Sequence, residues 1–338
     1  MTGALELKGG LLDAKIMLNL DTEDDHELTI GCAGGIDITA RGSYDSVKAN
    51  DNHVAYKIAI KGLTGGHSGM DIHLGRGNAN KLMNRFLFEL GQKMEVGIHQ
   101  IDGGSLRNAI PRESFAVIAI AQAKKPAFLE FVKVYEATLT EEYSITDPNI
   151  KLVVEDNAKV ANVVAADFQK KLLRSIYACP NGIYRMSPDI KDLVQTSNNL
   201  ARVQVKDGAY EILCLTRSSV DTEKMDEAHA IQSTFELLGA KVTFGGAYPG
   251  WTPKPESPIV KIMSELYQEL FKAEADVNAC HAGLECGILG TNYPEMQMIS
   301  FGPNIRGAHS PDEKVQISSV QKFWGFLLET LKRIPVKG

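Results

Sequence analysis

Cysteine, basic clusters and long apolar runs are what this 338-residue sequence has least of, and each shortage closes off a class of protein. The five cysteines, Cys32, Cys179, Cys214, Cys280 and Cys286, are odd in number and scattered, with no Cys-x-x-Cys spacing. That excludes a disulfide framework and a thiolate zinc site. Their apolar surroundings suit buried, reduced thiols of a cytosolic protein. No Lys/Arg cluster tracks along the chain, and the net charge is −6 with a pI near 5.8. Nucleic acid is therefore not an expected partner. No apolar run reaches the ~18 residues that a membrane span needs. The opening MTGALELKGG has no basic stretch followed by an apolar one, so no secretory signal is read there. The expected location is the cytoplasm, with no membrane contact.

What is present is the balance of a folded protein, 44% hydrophobic and 23% charged residues, in a chain long enough for two or three domains of roughly 100–200 residues. The nearly continuous apolar run 14–20 predicts a strand covered on both faces, delivering Asp21 at its end. A second short strand is expected over 28–34. From about residue 39 the pattern changes. Residues 54–62 alternate as a half-buried strand does, and 80–92 carry Leu82, Met83, Phe86, Leu87 and Leu90 on one helical stripe. A strand near 115–121 and a helix near 126–141 complete one round. A second follows: strand 151–154, helix 160–177, strand 210–216, helix 222–238, strand 241–244. Two such α+β rounds fit an inserted domain better than a continued parallel sheet. After the turn 245–250 the α/β rhythm returns, with helix 258–272, strand 276–280, a short helix near 284–289, a buried strand 296–301 and a closing helix 318–333. The expected organisation is an outer domain in two pieces, 1–38 and 247–338, interrupted by residues 39–246.

Several polar residues stand where a site can form. Asp21 and His309 each follow a buried strand, and open α/β sheets place ligands beyond strand ends. A carboxylate and an imidazole suit zinc or manganese, although a turn aspartate and a solvated loop histidine are the plainer roles. Gly65-Gly-His-Ser-Gly69 holds His67 in a flexible turn, with His73 close behind. Leu106-Arg-Asn-Ala-Ile-Pro-Arg112 offers the amide of Asn108 and the charges of Arg107 or Arg112, or simply an Asx-type turn. Arg217 ends a strand, where a guanidinium meets a carboxylate in bidentate fashion. Asp221 is the alternative partner within its own domain. His281-Ala-Gly-Leu-Glu-Cys-Gly287 puts Gly283 and Glu285 at a strand-to-helix junction, able to face an anion or merely to complement the helix start.

Read in order, Gly62-Leu-Thr-Gly-Gly-His-Ser-Gly-Met-Asp-Ile-His73, Gly77-Asn-Ala-Asn-Lys-Leu82, Leu106–Arg112, Gly246-Ala-Tyr-Pro-Gly-Trp251, His281–Gly287 and Gly307-Ala-His-Ser-Pro-Asp-Glu313 are not generic. Over essentially the whole chain they resemble the bacterial Xaa-His dipeptidases, the aminoacyl-histidine branch of the M20 metallopeptidases. The resemblance implies an α/β catalytic domain interrupted by an inserted α+β lid domain made of two α+β units, and a homodimer formed through that lid. It makes Asp21 a ligand of one zinc and His309 a ligand of the other, with manganese or cobalt as alternatives. It makes His67 the lid histidine reaching a substrate oxygen in the partner's active site. Asn108 and Arg217 become lid contacts to the dipeptide, Arg217 at its C-terminal carboxylate. Gly283 and Glu285 line the pocket, with His281 competing for the place of Glu285.

The departures count as well. The family's His-x-Asp does not occur here, and the one Glu-Glu pair, Glu141-Glu142, falls inside the lid. The expectation is therefore an incomplete catalytic domain with two of five metal ligands, a C-terminal portion of a metallodipeptidase inactive on its own. A catalytically inactive dimerisation or peptide-binding protein of the same fold is the competing reading. If the resemblance holds, Asp21 and His309 lie well under ~10 Å apart, as ligands of a metal pair ~4 Å across require.

Overall fold

Two kinds of hydrophobic pattern become two sheets. The structure is a computed structural model and describes residues 2–306 and 313–335. Near-continuous apolar runs form a four-stranded sheet in the order Ile16–Asn19, Gln297–Ser300, Glu27–Cys32, Asp276–Cys280. The outer pairs are parallel, and the central contact is antiparallel, Ser300 opposite Thr29. Both faces are covered. Leu28, Ile30 and Ile299 pack against the helices Pro258–Phe271 and Ile317–Arg333, while Cys32 and Met298 meet Trp251, Cys286 and Tyr293 on the other face. That two-sided burial is what the unbroken apolar runs require.

The alternating segments form a nine-stranded, wholly antiparallel sheet. Its order is Lys151–Asn157, His53–Lys61, Ser114–Ala121, Val96–Gly104, Val194–Lys206, Ala209–Ser218, Gly34–Ser43, Lys241–Tyr248, with Gly182–Met186 added beside Val194–Lys206. The helices Ala79–Lys93, Lys125–Glu142, Ala166–Ala178 and Asp221–Glu236 share one core with it. Local chemistry fixes their ends. The side chain of Asn78 accepts hydrogen bonds from Asn80 N (3.0 Å) and Lys81 N (3.3 Å), capping the helix that follows, a contact of about 1 kcal/mol. Strands of both rounds thus lie in a single sheet, joined where Val96–Gly104 meets Val194–Lys206.

Several details differ from the sequence-based expectation. The helix expected over 160–177 begins only at Ala166; Asn162–Val164 is instead a strand paired with Ser46–Lys48, as its β-branched valines favour. The strands Val96–Gly104 and Val194–Lys206 are not among the expected elements. The chain passes from the small sheet to the large one at Ala33, and Gly34–Ser43 runs through the position expected to separate residues 38 and 39. The way out lies beside the way in: Cys32 and Trp251 exchange two backbone hydrogen bonds of 2.9 Å. A side chain at Gly34 would sit 2.4 Å from Gly250 N, so only glycine lets the two crossings run this close.

Glu227 is the oddest occupant of the large core. It is 0% exposed, and neither carboxylate oxygen has a hydrogen-bond partner. Burial, with Cys214 and Asp226 adding, pushes its pKa up from 4.5 to about 9. The unfolded chain gives up this proton above 4.5, whereas the folded chain keeps it to about 9. Stability must therefore fall as pH rises across that window, by ~1.4 kcal/mol per pH unit from this group. Glu227→Gln should flatten urea-denaturation stability between pH 5 and 9, the range of about four units over which the linkage acts. An unchanged slope in the variant would mean that the carboxyl is not held in a dry site.

Candidate active site

The turn carrying His67 is braced from several directions. Residues Gly66–His67 pair with Ala109–Ile110, and Ser68 N donates to Asn108 O at 2.8 Å. Arg76 Nη1 donates to Gly65 O (2.6 Å), and Asp71 Oδ2 accepts from His67 N (2.8 Å). Beneath the turn the buried Asp147 accepts from Thr64 N and Gly77 N, each at 2.8 Å. Gly66 has φ 141°, and a side chain there would run into Asp71 and Arg76. The glycines of this motif are therefore demanded by backbone geometry.

That bracing sets the protonation pattern of the His67 ring. Nδ1 accepts from Met70 N (3.0 Å) and Gly69 N (3.3 Å), so the proton of the neutral ring sits on Nε2. Nε2 lies 3.5 Å from Nη2 of Arg217. Two donors face each other with no acceptor between them. Burial, followed by the nearby Arg217 charge, pushes the His67 pKa below 6.5, and Asp71 offsets this only in part. The ring is accordingly neutral at neutral pH.

Arg217 is 5% exposed at the end of Ala209–Ser218. Nη1 donates to the hydroxyl of Tyr248 at 2.8 Å, and Nε has no partner. Asp221, its expected alternative partner, is occupied by Lys224, which also donates to Tyr248 O. Among the described residues no carboxylate pairs with Arg217. A buried guanidinium without a counter-ion is costly, and with the Tyr248 oxygen taken by Arg217, the group of Arg217, His67 and Tyr248 has N–H and O–H donors left to offer. Its chemistry is that of an anion receptor.

The small sheet closes this site from the other side. Beyond Cys280 the chain turns through His281 and Gly283 into the helix Glu285–Asn292. Ala33 N donates to Ala282 O (2.9 Å), fixing the turn beside the crossing, and Gly283 and Glu285 are half-buried. His281 is 6% exposed, with Nε2 2.7 Å from Ser197 Oγ. Burial and then Arg217 push its pKa down to about 3. A Cβ on Gly69 would lie 2.1 Å from the carbonyl oxygen of His281 and 3.2 Å from Arg217 Nε, so the His67 turn, Arg217 and His281 meet at one point.

Not every expected residue belongs to that point. The backbone of Asn108 adjoins Ser68, but its side chain is exposed. Arg107 is committed to the fold: Nη1 donates to Ile38 O and Cys214 O, and Nε lies 3.3 Å from Asp37 Oδ2. Arg112 donates to Leu63 O. Asp21 does follow its strand, and Ser300 Oγ donates to Asp21 O at 2.9 Å, but this is the end of the small sheet opposite to Cys280 and Cys32. His309 lies outside the described residues, so its separation from Asp21 is not assigned. Among the described residues only His26, Glu27 and Asp276 form a group of three metal-ligating side chains, within 4.8 Å of one another. Asp21 is not in it, so the described residues do not build a metal site around that carboxylate. Tyr248 and Ser197 were missed from sequence. Tyr248 lies inside a quoted motif, and Ser197 in a polar run that does not look like a buried strand.

The chain is similar to known peptidases along its length. Residues 58–147 match the family described as a peptidase dimerisation domain. The chain is 42% identical over 337 residues to the cytosol non-specific dipeptidase of Escherichia coli (strain K12), covering 100% of this chain and 70% of that protein. The crystal structure of aminoacylhistidine dipeptidase from Vibrio alginolyticus superposes with a TM-score of 0.95 at 40% identity, covering 100% of this chain and 69% of that one.

The His67–Arg217 contact makes a prediction that needs no substrate. In imidazole 15N NMR spectra His67 should appear as the Nε2–H tautomer and titrate below 6.5. Arg217→Ala should raise that midpoint, because the guanidinium is the second cause of its depression. A midpoint that stays put would show that the charge is not beside the ring.

Proposed function

Because this chain belongs to the aminoacyl-histidine dipeptidase branch of the M20 metallopeptidases, we propose that it hydrolyses dipeptides, Xaa-His dipeptides among them, using the Arg217–His67 pair to hold the C-terminal half of the substrate. The observation that carries this reading is the convergence of buried donors without an acceptor. In a peptide cut at its last bond, one Cα separates the scissile amide from the terminal carboxylate. Donors 3.5 Å apart are thus spaced to serve both groups. Arg217 takes the carboxylate, supported by Tyr248, whose hydroxyl proton remains available. His67, neutral with its proton on Nε2, donates to the scissile carbonyl oxygen as it gains charge. Asn108, Gly283 and Glu285 complete the substrate pocket in this proposal. The 42% identity to a dipeptidase over 337 residues favours hydrolysis over a catalytically inactive dimerisation or peptide-binding protein.

Membership of a metallopeptidase family brings a divalent metal. We propose zinc, two ions per complete site with manganese or cobalt as alternatives, and Asp21 and His309 as ligands supplied by this chain, with the lid donors that serve that site coming from the partner subunit. Among the described residues no group of three metal-ligating side chains includes Asp21. The inserted unit, residues 39–246 by sequence pattern and reaching back to Gly34 in backbone pairing, is proposed as the lid through which a homodimer forms; its dimerisation-domain match supports this. Residues 1–38 and 247–338 are proposed as the two pieces of the catalytic domain. The cytoplasm is the proposed location, supported by the cytosol relative. Among the described residues no helix is long and apolar enough to cross a membrane.

In a protein that carries the complete metal site, His67→Ala should lower kcat for alanyl-histidine by ~10²–10³ with a much smaller change in KM, since oxyanion stabilisation acts in the transition state. Arg217→Ala should instead raise KM. A pure KM effect at His67 would make it a ground-state binder and remove it from catalysis.

A further inference from the structure

The groups that place His67 and Arg217 come from two sheets, and one side chain joins them. His281 stands first after the small-sheet strand Asp276–Cys280, yet its ring reaches Ser197 Oγ of the large sheet at 2.7 Å. Ser197 is the ladder partner of Arg217. On its backbone side, the carbonyl oxygen of His281 abuts Gly69 so closely that a Cβ there would lie 2.1 Å away, and the same Cβ would be 3.2 Å from Arg217 Nε. Gly69 N in turn donates to His67 Nδ1. His281 therefore touches the support of both donors at once, through its ring on one side and its carbonyl on the other. Its Nδ1 is buried, and the Val194 backbone lies against the ring. A polar imidazole only 6% exposed is a poor choice for packing alone, where an apolar residue of similar volume would cost less.

We propose that His281 is a positioning residue, fixing the Arg217 guanidinium and the His67 ring relative to each other through Ser197 and the Gly69 backbone. The proposal rests on reading those two donors as the receptor for the carboxylate end of a substrate. The low pKa of His281 agrees with it, because a charged ring at that point would repel the guanidinium it has to hold. His281→Gln can keep a hydrogen bond to Ser197, since the terminal amide of glutamine reaches the position of the imidazole Nε2. His281→Leu cannot.

The test compares calorimetric binding of alanyl-histidine and of its C-terminal amide to the full chain. Wild type and His281→Gln should favour the acid by about tenfold or more, as a charge-assisted contact implies. Arg217→Ala should abolish that preference. His281→Leu and Ser197→Ala should each lose most of it, and the double variant should lose no more than either single, because both remove one hydrogen bond. Thermal unfolding is followed in parallel. If His281→Leu fails to fold, Ser197→Ala, which deletes one hydroxyl, carries the test. Lowered stability with a wild-type acid preference in Ser197→Ala and His281→Leu would mark a merely structural histidine and overturn the proposal, leaving the Arg217 site standing. Absence of any acid preference in wild type would overturn the anion site, and this proposal with it.

Discussion

The double backbone hydrogen bond between Cys32 and Trp251 is the constraint from which the rest follows. It clamps the two places where the chain passes between sheets into one narrow neck. Glycine at 34 and 250 permits that approach. Because the neck is narrow, the strand ends on either side of it, Thr216–Ser218 in the large sheet and Cys280–His281 in the small one, come together there. A site assembled at such a junction draws side chains from segments far apart in sequence: His67, Ser197, Arg217, Tyr248 and His281.

The electrostatics of that junction have a single sign. Arg217 is buried without a carboxylate, His67 is held neutral with its proton outward, and His281 is kept neutral by burial. Nearby acids are already engaged, Asp71 by the His67 backbone and Arg76, Asp221 by Lys224. An unpaired buried cation lowers the stability of the empty protein. That cost is recovered only when an anion arrives, which is why such an arrangement is expected where a ligand binds and not where a fold is merely held together.

Much of this was legible in the sequence because backbone geometry dictated the residues. The glycines around His67 are needed for positive φ and close approach, so the motif announces itself. The helix stripe from Leu82 to Leu90 follows directly from burial, and the apolar run before Asp21 forms the half-buried strand Ile16–Asn19. The strand Val194–Lys206 was illegible for the opposite reason. Gln195, Thr196, Ser197, Asn198 and Asn199 are all buried but polar, satisfied by contacts such as Asn199 Nδ2 to Ala109 O at 2.8 Å, so no hydrophobic alternation marks them. Strand direction was equally hidden. Nothing in the runs 16–19 and 276–280 says that they point oppositely, and this is what puts Asp21 and His281 at different ends of one sheet.

The narrow neck also makes the large sheet a lever. Its far edge, Lys151–Asn157, lies six strand spacings from Gly34–Ser43, about 29 Å at ~4.8 Å per strand. Turning about the neck by roughly 10° would swing that edge through ~5 Å on this spacing. Arg217, one strand from the pivot and registered with Gly35, would move less than ~1 Å by the same arithmetic. Large excursions at the rim of the inserted unit thus leave the Arg217 guanidinium almost still, as the hub of a wheel moves little while its rim travels.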